Sequence, residues 1–365
     1  MEAWPDGRDA ATESTRVVAA EQTNPVDVAE AVPPERLGPW IADQVPDANG
    51  TVEVTQIAGG SSNLTFKVAD GKHEWVLRRP PLRHVLATAH DMGREHRVQS
   101  ALEATDVPVA AQAASCDDES VIGAPFYMME YLDGVVYDDV DATSSLTEDQ
   151  GRAASYELVD VLARLHAVDY EEVGLGGFGR PAGYLTRQVA RWQTQWEKSK
   201  TVEMPVVDEV AQRLERRLPA ESRHAIVHGD YSFNNTMFRR DDPTRIQAVL
   251  DWEMSTLGDP LTDVGMVAVY WTEVGEIMWR NRKPQAHRAN AGFPDVDSLL
   301  ERYAATSGTD LAQIDFYRAF ATYKLAVIAQ GGARRVEHTD PERAARVSGT
   351  VAQLAQLALE LTEEY

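Results

Sequence analysis

Three polar side chains, Asp230, Asn235 and Asp251, follow two short apolar runs at residues 225–227 and 248–250. Phosphoryl transfer needs a carboxylate that orients an acceptor hydroxyl and receives its proton. It also needs hard oxygen ligands for Mg²⁺, which carboxylates and amides supply together with phosphates and water. The pattern therefore predicts Asp230 as the base, and Asn235 and Asp251 as metal ligands.

A structural interpretation competes with this chemical one. In it, Asp230 closes a turn, Asn235 caps that turn and Asp251 starts a loop. A lone aspartate and asparagine at this spacing would favour the structural interpretation. Here His228 and Gly229 precede Asp230, and a second aspartate ends the next apolar run. This combination favours the chemical interpretation.

The spacing from Asp230 to Asn235 matches the Asp-x4-Asn of the kinase catalytic loop, with Gly229 in place of its arginine. Asp251 stands where the aspartate of the kinase Asp-Phe-Gly motif would stand. With the following Trp-Glu pair and the Gly-Asp-Pro at 258–260, the sequence resembles the aminoglycoside phosphotransferase and choline kinase group over about residues 40–340. It is particularly similar to the branch that includes the kinase-like segments of certain acyl-CoA dehydrogenase fusion proteins.

The resemblance implies an α+β, protein-kinase-like fold with two lobes and an ATP cleft between them. A small antiparallel β N-lobe is expected at residues 35–132. A larger, mostly helical C-lobe at 133–365 is expected to carry the catalytic loop, the metal site and the acceptor site. ATP and Mg²⁺ are the expected cofactors, with the backbone of Glu130 and Tyr131 binding the edge of adenine. Residues 1–34 show weak periodicity and are predicted to form a mobile or loosely docked N-terminal extension.

Strand-like runs at 52–57, 64–68 and 75–79 predict three antiparallel strands at the start of the N-lobe. The first turn is rich in glycine and serine, and its backbone N–H groups and hydroxyls can approach phosphate oxygens. A plain hairpin turn is the alternative. The candidate phosphate-binding residues of this turn are Gly60, Ser61, Ser62 and Asn63.

Arg78 stands where kinases with a Val-Ala-Ile-Lys strand place their lysine, and its guanidinium can hold α- and β-phosphates as a fork. Arg79 is adjacent, but the alternation of a strand directs it to the opposite face of the sheet. Glu95, in the helical run that follows, is the candidate to orient Arg78. The alternative for Glu95 is a solvated helix charge beside two arginines.

Four other features of the C-lobe carry structural predictions. Residues 147–150 have the character of a capping box, with Thr147 as the N-cap of a long helix. His166 is interpreted as a buried histidine bonded to a carbonyl, and Asp263 as structural support for the catalytic loop. Two glycines at 331–332 are expected to bend or end a helix that starts near residue 311.

The net charge is −23 and the sequence pI is near 4.8, which disfavours nucleic acid or an anionic membrane as a partner. The single cysteine, Cys116, excludes an intramolecular disulfide and a thiolate zinc site within one chain. The N-terminus lacks a basic segment followed by an apolar one, and no apolar run is long enough to span a bilayer. A soluble, cytoplasmic protein is expected.

A protein acceptor is disfavoured, because the sequence has no His-Arg-Asp, Asp-Phe-Gly or Ala-Pro-Glu motif of the protein kinases. The resemblance implies a hydroxylated small molecule as the acceptor. Aminoglycosides suit the negative net charge of the chain, because they are cationic acceptors. Hydroxyacyl-CoA suits the family branch and a small basic patch formed by Arg280, Arg282 and Lys283. A catalytically silent nucleotide-binding scaffold on the same fold is the alternative function. The sequence does not decide between ATP and GTP, nor does it give the oligomeric state.

Overall fold

The computed structural model describes residues 26–57, 63–82, 91–220, 223–278 and 284–363. Gly60, Ser61 and Ser62 of the predicted phosphate-binding turn lie outside the described residues, and so does the basic patch at 280–283. The described residues form two compact units. Unit 1 comprises those up to Gly93 together with Ala113–Tyr131, and unit 2 comprises Arg94–Gln112 and those from Leu132 onward.

Unit 1 is built on a five-stranded sheet with the strand order β1-β2-β3-β5-β4. The pairs β1–β2, β2–β3 and β3–β5 are antiparallel, which confirms the predicted antiparallel strands. The strands are β1 (Glu53–Gln56), β2 (Leu64–Ala69), β3 (Glu74–Arg79), β4 (Gln112–Cys116) and β5 (Phe126–Glu130).

Short helices pack with this sheet around one apolar core that contains Leu37, Ile41, Phe66 and Leu77. Ala31 and Val32 are also fully buried in that core. The described end of the predicted N-terminal extension is therefore docked rather than loose. The helices of this part of the chain are α1 (Val28–Ala31), α2 (Pro34–Gln44), α3 (Met92–Leu102), which continues into unit 2, and α4 (Glu119–Ile122).

Unit 2 is mostly helical and has two small antiparallel sheets, one of β6, β8 and β9 and one of β7 and β10. Its strands are β6 (Gly134–Val136), β7 (Ala225–Val227), β8 (Thr236–Arg239), β9 (Ile246–Val249) and β10 (Thr256–Gly258). Its helices are α5 (Val140–Thr143), α6 (Glu148–Ala167), α7 (Tyr184–Ser199), α8 (Pro205–Arg216), α9 (Leu261–Tyr270), α10 (Glu273–Met278), α11 (Val296–Ser307), α12 (Ile314–Val336) and α13 (Pro341–Leu361).

Helix α9 is the buried centre of unit 2, since every residue from Leu261 to Val269 is buried. A Cβ atom at Gly265 would lie 2.6 Å from the carbonyl oxygen of Tyr317, so this glycine allows α9 to approach α12 closely. Asp263 near the start of α9 and Tyr270 at its end both contact the predicted catalytic loop, residues 228–235. The helix therefore carries two of the side chains that position the site.

Two helix predictions have different outcomes. The capping box is confirmed, because Thr147 and Gln150 each accept a hydrogen bond from the other's backbone N–H at the start of α6. The predicted end of the helix at residues 331–332 is wrong, because α12 continues to Val336. Each helical glycine costs only about 1 kcal/mol relative to alanine, and packing of α12 against α9 and α13 offsets that cost.

Among the described helices, none combines the length and the apolar character that crossing a membrane requires.

Candidate active site

The catalytic-loop segment leaves the fully buried strand β7 through a turn that only glycine fits. Gly229 has φ +87°, and a Cβ atom there would lie 2.9 Å from the carbonyl oxygen of Met254. L-residues with a side chain rarely adopt this backbone region. The turn brings Asp230 out of the strand immediately beside the segment that follows β9.

The Asp230 carboxylate accepts two hydrogen bonds. The amide nitrogen of Asn235 donates to Oδ2 over 3.1 Å and also to the Asp230 carbonyl oxygen over 2.8 Å. The hydroxyl of Tyr270 donates to Oδ1 over 3.1 Å. Burial and the neighbouring Asp230 raise the pKa of Tyr270 well above its ordinary value, so the phenol stays protonated and donates. Because the amide nitrogen of Asn235 is engaged, its Oδ1 is the atom suited to a metal ion.

His228 links the segment of Asp230 to the segment of Asp251. Its Nε2–H donates to the carbonyl oxygen of Leu250 over 2.8 Å, and its Nδ1 accepts from the N–H of Asp230 over 3.3 Å. The N–H of Leu250 donates in turn to the carbonyl oxygen of Asn235 over 2.8 Å. These bonds fix the tautomer of His228 and bring the predicted base and both predicted metal ligands onto one hydrogen-bonded loop pair.

Asp251 has a backbone conformation that non-glycine residues seldom adopt. Its φ is +61° and its ψ is +65°, which is the left-handed region. Such a conformation costs of order 1 kcal/mol and persists where the surrounding structure imposes it, often at functional sites. The strained position of Asp251 agrees with its predicted role at the end of β9.

Asp263 supports the loop from beneath, as predicted. Its carboxylate accepts the N–H of His228 over 2.6 Å, the N–H of Gly229 over 2.8 Å, and a bond from His166 Nε2 at 3.3 Å. Burial opposes the charge, but the hydrogen bonds from the His166 ring and from the backbone N–H of His228 outweigh it, and the pKa of Asp263 lies below its ordinary value. The prediction that His166 bonds a carbonyl is wrong, because its ring contacts Asp263 and the hydroxyl of Tyr303.

Sequence reasoning missed a buried lysine. Lys324, in the middle of α12, donates from Nζ to the carbonyl oxygen of Gly229 and lies 5.6 Å from the ring centroid of Trp192. Lys324 as a whole is 7 % exposed. Burial lowers the pKa of Lys324, while Asp230 and Asp263 counteract that effect. The signal in the sequence was a single lysine within the otherwise uncharged run 319–327.

Replacing Lys324 with methionine is expected to separate activity from stability. Burying an ammonium is costly, so its loss offsets the lost hydrogen bond, and the free energy of unfolding should change by less than about 1 kcal/mol. The loop before Asp230 loses its anchor, so kcat should fall about 10- to 100-fold. Urea unfolding and steady-state kinetics would measure both, with the exposed Lys198→Met as control. Unchanged kcat in a folded Lys324→Met protein would contradict this assignment.

Replacing Gly229 with alanine is expected to destabilise unit 2 by about 3 kcal/mol, because the new Cβ adds a clash with Met254 to an unfavourable φ. Gly308 is a matched control in the same unit, since its φ is +67° and no described atom lies within 4 Å of its Cβ position. Gly308→Ala should cost only about 1 kcal/mol. Equal losses in urea unfolding for the two variants would show that the Met254 contact is unimportant.

In unit 1, the two arginines of β3 lie on opposite faces, as predicted. Arg79 is buried and its guanidinium donates to the carbonyl oxygens of Ala31, Ile122 and Pro80. Arg78 lies on the other face, opposite Thr65 on one side and Tyr127 on the other. Arg79 is thus a structural residue, and Arg78 remains the candidate phosphate ligand.

The remaining predicted nucleotide-binding residues lie as follows. Asn63 is buried at the start of β2, and Glu130 ends β5. The N–H of Tyr131 donates to the carbonyl oxygen of Glu74 over 3.1 Å, so this group extends the sheet. Glu95 lies on α3 in unit 2 and is only 1 % exposed, so the interpretation of Glu95 as a solvated helix charge is wrong.

The sequence matches the phosphotransferase enzyme family over residues 53–317. This chain belongs to that family. It is 34 % identical to acyl-CoA dehydrogenase family member 11 of Mus musculus over 328 residues, which cover 87 % of this chain and 41 % of that protein. The chain thus spans less than half the length of this relative.

Solved structures of family members show the same fold. A putative aminoglycoside phosphotransferase from Ralstonia eutropha JMP134 is 35 % identical, with a TM-score of 0.78, over 90 % of this chain and 98 % of that one. An aminoglycoside phosphotransferase, APH(4)-Ia, in a ternary complex with AMP-PNP and hygromycin B has a TM-score of 0.56 at 16 % identity, over 88 % and 97 % of the two chains. The two-lobed, kinase-like α+β fold is therefore confirmed.

Proposed function

We propose that this phosphotransferase moves the γ-phosphate of ATP to a hydroxyl of a small molecule, with Mg²⁺ as the metal. The hydrogen bonds of Asp230 carry the proposal. Asn235 and Tyr270 hold its carboxylate, and His228 connects its loop to the carbonyl oxygen of Leu250, the residue before Asp251. In the reaction, the acceptor oxygen forms a bond to the γ-phosphorus as the bond to the bridging oxygen of ADP breaks. Asp230 orients the acceptor hydroxyl and takes its proton.

The donor set fits Mg²⁺. Asn235 offers an amide oxygen and Asp251 a carboxylate, which are the hard ligands that Mg²⁺ takes alongside phosphate oxygens and water. The described residues contain no group of three His, Cys, Asp or Glu side chains placed to hold a metal. Nucleotide phosphates would therefore complete the coordination, and the bound ion would neutralise charge on the transferring phosphoryl group.

Nucleotide binding is assigned mainly to unit 1. Arg78 would hold phosphates as a bidentate fork, together with the turn of Gly60, Ser61, Ser62 and Asn63. Glu95 is the proposed partner of Arg78. The backbone of Glu130 and the carbonyl group of Tyr131 would meet adenine, since the N–H of Tyr131 is already bonded to Glu74. The AMP-PNP bound in the APH(4)-Ia complex supports an adenine nucleotide as the donor.

Two classes of acceptor are supported, each by different observations. An aminoglycoside suits the net charge of −23 and the antibiotic-kinase relatives. A hydroxyacyl-CoA suits the 34 % identity with an acyl-CoA dehydrogenase family member. We favour a metabolic hydroxylated molecule over an antibiotic as the acceptor. The protein is proposed to act in the cytoplasm, with neither nucleic acid nor a membrane as its partner.

The proposal is tested by a mass-spectrometric transfer screen. Protein, ATP and Mg²⁺ are offered hydroxyacyl-CoAs, aminoglycosides, macrolides and choline-like amino alcohols, with Asp230→Asn as the blank. An acceptor that gains the mass of a phosphate only with the native protein supports the kinase and identifies its substrate class. The second candidate, a silent nucleotide-binding scaffold, is supported instead if ATP binds but neither transfer nor Asp230-dependent ATP hydrolysis occurs.

A further inference from the structure

Helix α3 carries an arginine that joins three parts of unit 2. Arg94 donates from its guanidinium to the carbonyl oxygen of Ser255 over 3.0 Å. The same guanidinium lies over the ring of Phe178, 3.8 Å from the ring centroid, in the geometry of a cation–π contact. Phe178 itself is fully buried. Helix α3, the loop of Phe178 and the segment of Ser255 therefore meet at one side chain.

The loop of Phe178 also packs directly on strand β10. A Cβ atom at Gly179 would lie 2.7 Å from the backbone nitrogen of Leu257, so glycine allows this close approach. Further along α3, Val98 and Leu102 are fully buried in the same apolar core as Phe178 and Leu257. The meeting point at Arg94 is therefore a packed part of unit 2 and not an isolated surface contact.

The carbonyl group of Ser255 is one short turn away from Asp251. Asp251 and Ser255 are the two caps of the 3₁₀ turn Trp252–Met254. Both the N–H and the hydroxyl of Ser255 donate to the carbonyl oxygen of Trp252, over 3.0 and 2.6 Å. The indole of Trp252 donates in turn to the carbonyl oxygen of Val249 at the end of β9. Because these bonds stiffen the turn, a displacement of Ser255 is transmitted to the proposed metal ligand.

On α3, Arg94 is followed directly by Glu95. Glu95 is buried, and its carbonyl oxygen accepts from the side-chain amide of Gln99 one turn along the helix. In protein kinases, a helix glutamate and a metal-binding aspartate must both be in place for transfer, and the position of that helix controls the first condition. Here a single guanidinium ties the helix of Glu95 to the turn that begins at Asp251. The two conditions are thus linked within unit 2.

We propose that Arg94 is a positioning residue that couples the nucleotide role of Glu95 to the metal role of Asp251. The inference rests on the proposed function, which assigns those two roles. Arg94 acts by holding α3 and the turn after Asp251 in one arrangement, without contact to substrate or metal. Binding of Mg²⁺ therefore favours binding of the nucleotide, and the nucleotide favours Mg²⁺ by the same factor, because coupling between two ligands is reciprocal.

Equilibrium binding of AMP-PNP, with Mg²⁺ and with EDTA, tests this coupling. Arg94→Met should reduce the gain in AMP-PNP affinity that Mg²⁺ provides by about ten-fold, within the usual range of coupling between two sites. Arg97→Met is the matched control and should keep the gain, because Arg97 is exposed and donates from the same helix to the carbonyl oxygen of Gly174. Arg94→Lys retains a cation and should recover part of the gain; it also serves if the methionine variant folds poorly.

Hydrogen exchange of the unbound protein gives a second readout that needs neither nucleotide nor turnover. Arg94→Met should speed the exchange of amide protons in α3 and also in residues 252–258, because both segments lose their shared contact. Arg97→Met should speed exchange in α3 and leave residues 252–258 unchanged. Mass spectrometry of peptides from the two segments measures this difference.

The outcomes separate the inference from the proposed function. An unchanged Mg²⁺-dependent gain in folded Arg94→Met, or unchanged exchange in its residues 252–258, would overturn the inference and leave the proposed function intact. Failure of the wild-type protein to bind AMP-PNP with Mg²⁺ would reject the proposed function and with it the coupling of nucleotide to metal. A joint rise in exchange would in that case still support Arg94 as the link between α3 and the turn of Asp251.

Discussion

Asp230→Asn is expected to reduce phosphate transfer about 10²- to 10⁴-fold, the usual contribution of a positioned general base. Affinity for Mg·ATP should stay within about three-fold, because the carboxamide has the same shape and leaves both predicted metal ligands in place. Asn235 can still donate to the amide oxygen, and the Tyr270 hydroxyl can rotate to accept from the amide nitrogen. The loop should therefore keep its geometry while it loses the proton acceptor.

Single-turnover transfer and equilibrium titration with Mg·ATP measure the two quantities separately. Asp241→Asn is the matched control, because Asp241 is an exposed aspartate paired with Arg239 and should behave like wild type. Undiminished transfer in Asp230→Asn would remove Asp230 from the role of base. A parallel loss of nucleotide affinity would indicate instead that the substitution disturbs the metal site.

Asp263→Ala is expected to lower the free energy of unfolding by about 3–5 kcal/mol, the usual cost of breaking a buried, hydrogen-bonded ionic group. The N–H groups of His228 and Gly229 would lose their acceptor, and His166 would lose one ring partner. Transfer activity should fall with stability, because the same N–H groups shape the turn before Asp230. Asp263→Asn should cost less, since one carboxamide oxygen can still accept.

Urea unfolding of unit 2 at several pH values checks this expectation. The pKa of Asp263 is lowered in the folded protein, so its contribution is present above the unfolded value, near 3.9. It is lost as the pH falls through the lower folded pKa, so the difference between wild type and Asp263→Ala should shrink under strong acid. Asp241→Ala removes an exposed pair with Arg239 and should leave the free energy of unfolding nearly unchanged. Similar losses for the two variants would contradict a special role for Asp263.

Local sequence patterns predicted those parts of the molecule that depend on neighbouring residues. Alternation along 75–79 gave the opposite faces of Arg78 and Arg79, because a strand directs successive side chains apart. The pattern of residues 228–235 predicted the loop of the candidate base, because Asp230 and Asn235 lie within a few positions of each other. The capping box of α6 is local in the same way.

The missed features depend on contacts between distant parts of the chain. Tyr270 meets Asp230 across 40 positions, and Lys324 meets Gly229 across 95. Helical periodicity places both residues on helices but cannot say which loop each side chain reaches. The partner of His166 was missed for the same reason, and the continuity of α12 past residue 332 follows from its packing rather than from its composition.

The left-handed backbone of Asp251 makes loss of function thermodynamically easy. A glycine would adopt φ +61° without the cost that an aspartate bears there. A glycine in place of the proposed metal ligand would therefore relieve the backbone strain at this position. If Asp251 holds the metal as proposed, a chain with glycine here would lose that ligand and keep the backbone conformation of the loop. Backbone strain and the proposed activity are then opposed at this one position, so thermal stability alone would not distinguish an active chain from a purely binding one.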